Sequence, residues 1–444
     1  MTQADLRGLI VDCLSLWGVW GRCAWSGEAL EVRTVSGIQV RIRPACEAER
    51  PARWMLETMA GAARPPRPAA SIVGLLGALR KALGGGAAGP SLKVGAPAMA
   101  PQPPGERAAP VGRVAPAPMA GTTPVLVVTG FLGSGKTTFI RKVLSDPRFA
   151  RTAVIVNEFG EIGLDHDILA SSSDALIRLS TGCLCCAVRS DLIDTLLDLD
   201  ARRCAGEVAF DRIIIETSGL ADPVPILQAL MSDPAVAARF SLGGVLTLVD
   251  AVHGASALAD HVEARRQVAV ADRILITKTD LMPASAGLLN DLRAANPSAD
   301  KVSQHEEAIS GLLAGIASAR VRQVKTGSAD QPAQHSAGHD SIALTREAPT
   351  PAIALALFLQ SLADHAGDRL LRVKGLVLIA EMPERPALIH GVQHVFSPPE
   401  WLEEWPGGAR HTRMVFIGAP IPPHWPRRLL EAICAEVRDA AEKS

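Results

Sequence analysis

Residues 124–140, PVLVVTGFLGSGKTTFI, restrict the fold of this 444-residue chain more than any other stretch. An apolar run of strand character leads into Gly130, four residues, then Gly135, Lys136 and Thr137, and a helical pattern follows. This is the pattern G-x-x-x-x-G-K-T/S in the context that gives it meaning, a strand before and a helix after. Glycines let the backbone curl until its N–H groups face phosphate oxygens. The helix beginning near Lys136 adds the positive end of its dipole. Lys136 is expected to reach the β- and γ-phosphates of a nucleotide, and the Thr137 hydroxyl to ligate Mg²⁺. This part of the chain is expected to bind a nucleoside triphosphate.

The surrounding sequence repeats the same grammar. Apolar runs TAVIVNE, ALIRLS, RIIIETS, GGVLTLVD and RILITKTD alternate with helical patterns. Val/Ile/Leu-rich runs suit strands buried on both faces of a parallel sheet, and the alternation implies a doubly wound, mainly parallel α/β domain of P-loop type. RIIIETSGLADP ends an apolar strand on Glu216, with Gly219 three residues on. An acid at such a strand end holds Mg²⁺ or its water shell, a Glu can orient the attacking water, and a following Gly can sense the γ-phosphate. Lys136 and Glu216 are therefore the expected catalytic residues. In RILITKTD, Lys278 and Asp280 stand where guanine-specific proteins carry Lys and Asp, while Thr277 occupies the place of the usual Asn. A carboxylate at Asp280 accepts hydrogen bonds that guanine donates and adenine does not, so GTP is expected over ATP.

Three of the chain's eight cysteines fall within the hexapeptide TGCLCC, at Cys183, Cys185 and Cys186. A helical pattern follows, with Leu192, Leu196 and Leu199 on one face, which puts Cys185 and Cys186 at or just before a helix N-terminus. The dipole there favours thiolate, the form that both reacts and binds metal. A soft metal such as Zn²⁺ or Co²⁺, a Cys183–Cys186 redox pair and simply buried thiols are the three readings. The stretch VIVNEFGEIGLDHDIL lies between the phosphate loop and the cysteines, where a GTPase has its first switch. There Glu158 and Glu161 can reach Mg²⁺ or a second metal, and Asp165, His166 and Asp167 are further donors.

A formal net charge of −1 gives no pull toward nucleic acid or an anionic membrane, and neither is expected as a partner. The start, MTQADLRGLIVDCL, lacks a basic region and a cleavage site, and no apolar run approaches membrane-spanning length. A cytoplasmic protein is the expectation. Residues 1–83 read as a small α+β module with two or three strands, and 84–121, rich in Pro, Ala and Gly, as a linker. The nucleotide domain spans 122–325, a polar linker 326–350, and a small α+β domain 351–444, starting with a helix near 351–365.

In this order and spacing, TGFLGSGKTT, VNEFGEIGLD, GCLCC, IIIETSGLADP and TKTD resemble the CobW-like family of P-loop GTPases. LLRVKGLVLI, HGVQHVF and RMVFIG resemble that family's second domain more weakly, and the first 120 residues have no counterpart in it. The resemblance implies a GTP hydrolase acting in metal delivery, with Gly130, Gly133, Ser134, Gly135, Lys136, Thr137 and Thr138 as the phosphate loop. It implies Glu216 as the Walker B acid, Lys278 and Asp280 as the guanine motif, and Cys183, Cys185 and Cys186 as ligands of Zn²⁺ or Co²⁺. A client metalloprotein would receive the metal, and a homo-oligomer is compatible with the sequence. A redox-sensing GTPase and a small-molecule kinase are the alternatives. His335 and His339 make at most a weak auxiliary site, and His390 and His394, expected on one face of a strand, read first as packing residues.

Overall fold

The computed structural model describes residues 1–59, 65–84, 122–156, 176–178, 185–303, 340–406 and 410–442; of residues 176–178, 185–189 and 340 it describes the backbone alone. The nucleotide domain is a seven-stranded parallel sheet. Its strands, in spatial order, are β12 (Asp300–Ser303), β11 (Arg273–Thr277), β10 (Phe240–Asp250), β6 (Thr123–Gly130), β9 (Arg212–Glu216), β7 (Thr152–Val156) and β8 (Leu176–Arg178). Every pairing is parallel, as the uninterrupted apolar runs predict. The strand carrying the phosphate loop sits in the middle, between β10 and β9. Helix α3 (Lys136–Leu144) packs Phe139, Ile140 and Val143 on one face of the sheet. Helix α4 (Cys185–Cys204) packs Leu192, Leu196 and Leu199 on the other, all three fully buried. The leucine spacing read from the sequence is the face that the helix buries.

A six-stranded antiparallel sheet forms the C-terminal domain: β13 (Asp340–Arg346), β18 (Thr412–Gly418), β14 (Leu370–Val377), β15 (Ala387–Val392) and β16 (Val395–Phe396), with β17 (Glu400–Trp401) also on β15. Strand β13 lies inside the stretch that composition marks as a polar linker. Its alternating pattern, SIALTR, is short, and only pairing with β18 along seven residues identifies it. Side chains on the two faces of this sheet have different neighbours. Leu376, Leu388, Val392 and Val415 join the core of the nucleotide domain. Val373, Val377, Ile389 and Phe416 pack under helices α10 (Ala352–Ala366) and α11 (Trp425–Ala441). His390 lies buried in β15, whereas His394 falls in the turn before β16, so the two share no strand face.

The N-terminal module holds five strands rather than two or three: β1 (Gly21–Ser26), β2 (Ala29–Thr34), β3 (Gln39–Pro44), β4 (Trp54–Thr58) and β5 (Arg67–Ala69), in sequential antiparallel order. The short β4 and β5 lie among prolines and arginines, where alternation is too brief to read. Helices α1 (Gln3–Leu16) and α2 (Ile72–Ala82) bury their apolar faces together with α10 and α11 of the C-terminal domain, in one continuous core. Trp425 is fully buried with its Nε1 3.2 Å from the Cys13 sulfur. Arg428 pairs with Asp12 at 2.7 Å, Arg53 with Asp439 at 2.7 Å, and the Glu436 carboxylate accepts the N–H of Ile72 at the start of α2. The module is thus docked onto the outer helices of the C-terminal domain. Among the described residues no helix is long and apolar enough to cross a membrane.

His365 makes this docking pH-sensitive. It is buried in α10, 5.4 Å from Trp17 of the module between ring centroids, and burial, with the nearby Arg80 cation, pushes its pKa down from 6.5 to about 4. Between these two values only the unfolded chain takes up the proton, so stability is complete above the upper value and falls as pH drops toward the lower. The loss from this group is expected to be on the order of 3 kcal/mol, because a pKa unit corresponds to about 1.4 kcal/mol. Urea unfolding at pH 7.5 and 4.5 checks it, with His365→Leu removing most of the difference between the two.

Candidate nucleotide site

The phosphate loop folds as its sequence requires. Gly130 has φ +148°, and a Cβ there would meet the Leu248 carbonyl oxygen at 2.4 Å and Ser134 Oγ at 2.7 Å, so only glycine fits. Helix α3 begins at Lys136, so its first N–H groups point back into the loop. The Lys136 ammonium is buried and donates to the carbonyls of Gly130 at 2.8 Å and Phe131 at 3.2 Å. Gly133, Ser134, Gly135 and Thr138 complete the loop and the start of its helix.

Glu216, on the neighbouring strand, is buried at the carboxyl edge of the sheet and accepts a hydrogen bond from the Thr137 hydroxyl at 2.8 Å. A hydroxyl and a buried carboxylate side by side beneath a phosphate loop are the oxygen ligands that fit Mg²⁺. Thr217 anchors the strand end through its hydroxyl on Thr129 Oγ1 at 2.8 Å and its N–H on the Val128 carbonyl at 3.0 Å. Gly219 then presses on the phosphate loop itself, where a Cβ would lie 2.6 Å from Leu132 Cδ2 and 2.9 Å from its Cα. The spacing Glu216-x-x-Gly219 therefore brings the loop after the acid into contact with the loop that would hold the phosphates.

The base-recognition segment differs from the usual motif in an instructive way. Thr277 stands in place of Asn, yet its buried hydroxyl donates to the Ser134 carbonyl at 2.9 Å and also lies 3.3 Å from that of Val249. The threonine thus ties β11 to the phosphate loop directly. Lys278, with φ +57°, pairs with Asp250 at 2.6 Å. Burial alone would raise the Asp250 carboxyl, but the hydrogen bonds from Lys278 and the Val252 N–H outweigh it and pull it below the usual carboxylate range. Asp280, two residues on, is exposed at the same edge of the sheet. Neither the tether of Thr277 nor the partner of Lys278 carries a sequence signal, because each depends on a residue far away in the chain.

The cysteine cluster is placed only in part. Cys185 and Cys186 begin α4, the expected helix N-terminus, while Cys183, Glu158, Glu161, Asp165, His166, Asp167, His335 and His339 lie outside the described residues. Among the described residues, no group of three or more His, Cys, Asp or Glu side chains is placed to hold a metal ion.

A parallel sheet with a phosphate loop on its central strand, a buried acid beside it and a Thr-Lys-x-Asp turn define a P-loop GTPase. Residues 124–303 match the family "CobW/HypB/UreG, nucleotide-binding domain", and residues 339–434 match "Cobalamin synthesis protein cobW C-terminal domain". The chain belongs to this family. It is 34% identical over 304 residues to the zinc chaperone YjiA of Escherichia coli, covering 67% of this chain and 94% of that one. It is 32% identical over 335 residues to the zinc chaperone CobW of Pseudomonas aeruginosa, covering 66% and 87%. The crystal structure of the Zn(II)-bound YjiA GTPase from E. coli superposes with a TM-score of 0.54 at 30% identity, covering 71% of this chain and 99% of that chain. Both family segments begin after residue 123, so the N-terminal module stands outside them.

Proposed function

We propose that this GTPase is a metallochaperone that loads Zn²⁺, with Co²⁺ the next candidate, on the turn of Cys183, Cys185 and Cys186 and passes it to a client metalloprotein as GTP is hydrolysed. One observation carries the reading: strand β8, the last described element before the cysteines, ends at the edge of the sheet where the phosphates would sit. Val156 in β7 is in register with Glu216 on one side and Arg178 on the other. The chain therefore leaves β8 level with the acid and about 10 Å from it across two strand spacings, and α4 opens at Cys185 a few residues later. The zinc chaperones to which the chain is similar support the choice of metal.

In this reading Lys136 takes the charge of the β- and γ-phosphates, and the loop amides hold the triphosphate in line. Thr137, Glu216 and, from the first switch, Glu158 would hold Mg²⁺, which supplies charge neutralisation at the phosphates. Glu216 orients the attacking water, while Gly219 registers the γ-phosphate through its contact with Leu132. Asp280 selects guanine, with Lys278 held in place by Asp250. Loss of the γ-phosphate then relaxes the segments on both sides of the cysteine turn and lowers its hold on the metal.

Titration of the purified protein with Zn²⁺ and Co²⁺, with and without Mg–GTPγS, tests this. Tightening of about tenfold with nucleotide amounts to about 1.4 kcal/mol of coupling, and it is expected to vanish when Cys183, Cys185 and Cys186 are all changed to Ala. Equal affinities in both conditions would exclude the coupled mechanism and leave the thiols a redox role.

A further inference from the structure

The helix Val262–Ala269, α8, faces the loop that follows Glu216 and holds it with two side chains. Gln267 is 1% exposed, and its Nε2 donates to the carbonyls of Gly219 and Ala221, each at 3.1 Å. Only the amide nitrogen can face two carbonyl oxygens, so the orientation of the side chain is set by these bonds. Beside it Arg266 Nη1 reaches Asp222 at 2.7 Å. The backbone of Gln267 is itself anchored, its carbonyl accepting the Thr247 hydroxyl of β10 at 2.7 Å. The loop carrying Gly219 is therefore held between two fixed surfaces, Leu132 of the phosphate loop on one side and Gln267 on the other.

The other end of the amide shows what it is there for. Gln267 Oε1 is buried and has no hydrogen-bond partner among the described residues, and Gln267 lines a cavity of about 190 Å³ together with Ser134 and Phe131 of the phosphate loop. An unpaired buried acceptor is unfavourable, and a leucine or methionine of similar volume would fill the space without one. What the amide adds over those residues is the pair of bonds to the loop.

We propose that Gln267 is a positioning residue for GTP hydrolysis: it presets the segment Thr217–Ala221 against the phosphate loop, so that Glu216 and Gly219 are in place before the γ-phosphate arrives. The role falls on the chemical step rather than on nucleotide binding, since the Gln267 amide bonds to the loop after Glu216 and not to the helix that starts at Lys136 or to the Lys278–Asp280 turn. It stands or falls independently of metal delivery.

Two variants of the full chain test this, Gln267→Glu and Gln267→Leu, each compared with the wild type at the same pH. At about pH 8.5 an ionised carboxylate would face two carbonyl oxygens, and kcat of the Glu variant is expected to fall about tenfold or more. At about pH 6 the acid, its pKa raised by burial, is protonated and can donate to one carbonyl, and kcat should return to within about threefold of the wild type. The Leu variant, with no donor, should stay low at both. Affinity for GTPγS should change by no more than about threefold in either variant. Wild-type kcat in both variants, a loss in the Glu variant that acid does not restore, or a loss in GTPγS affinity as large as that in kcat would each overturn the proposal. If the Leu variant fails to fold, the two pH values of the Glu variant decide within one protein.

Discussion

Replacing Asp272 by alanine is expected to destabilise the protein by about 3–5 kcal/mol, as removal of one partner from a buried ion pair does. Asp272 lies in the turn between α8 and β11, with its side chain 1% exposed. It accepts from Arg372 at 2.8 Å and from Lys374 at 3.3 Å, two cations on β14 of the C-terminal domain that are themselves 2% and 3% exposed. Its second oxygen accepts the Val245 N–H at 2.9 Å, which fixes the carboxylate to the sheet of the nucleotide domain. Among the described residues Arg372 Nε and Nη1 have no hydrogen-bond partner, so the guanidinium depends heavily on this carboxylate. Without Asp272 two positive charges stay inside an apolar interface, facing each other in low dielectric. Denaturant unfolding measures the loss. The further changes Arg372→Met and Lys374→Met are expected to recover most of it, because apolar residues of similar length need no counter-charge. A loss of less than about 1 kcal/mol in the single variant would mean that the cations are solvated by a shift of the domains.

Replacing Lys136 by alanine is expected to lower kcat for GTP about a thousandfold, the scale at which loss of a phosphate-clamping cation acts. Its ammonium is 2.8 Å from the Gly130 carbonyl and 3.2 Å from that of Phe131, bonds that hold it at the centre of the loop. With Lys136 as the phosphate clamp proposed above, that charge would face the γ-phosphate oxygens as they develop theirs. Arginine is not expected to rescue it, since the side chain is 8% exposed and a guanidinium is both longer and planar. Steady-state hydrolysis with a fluorescent nucleotide to follow binding separates the two effects. A reduction smaller than about tenfold would exclude the placement of Lys136 at the reacting phosphate.

Much of the nucleotide domain was legible beforehand because its signals are local. A strand, a glycine turn and a helix N-terminus make the phosphate loop within about fifteen residues, and the leucine spacing at Leu192, Leu196 and Leu199 is the buried face of α4. Strands β4 and β5 are not legible in the sequence because they are brief and lie among prolines, and β13 reads as linker because its pattern is shorter than its pairing. Thr277 stands where the usual base motif has Asn. In the fold its hydroxyl reaches Ser134, 143 positions away in the chain.

The sequence by itself determined that the chain is a P-loop GTPase and that Lys136 and Thr137 open the helix after the glycine turn while Glu216 ends an apolar strand, since each of these rests on backbone geometry spanning a few residues. Only the tertiary structure decided that the N-terminal module rests on α10 and α11, that Asp272 joins the two halves, and that Gln267 grips the loop after Glu216. Those contacts pair residues tens to hundreds of positions apart, and a glutamine, an aspartate or an apolar helix face carries no mark of its partner until packing removes water from both.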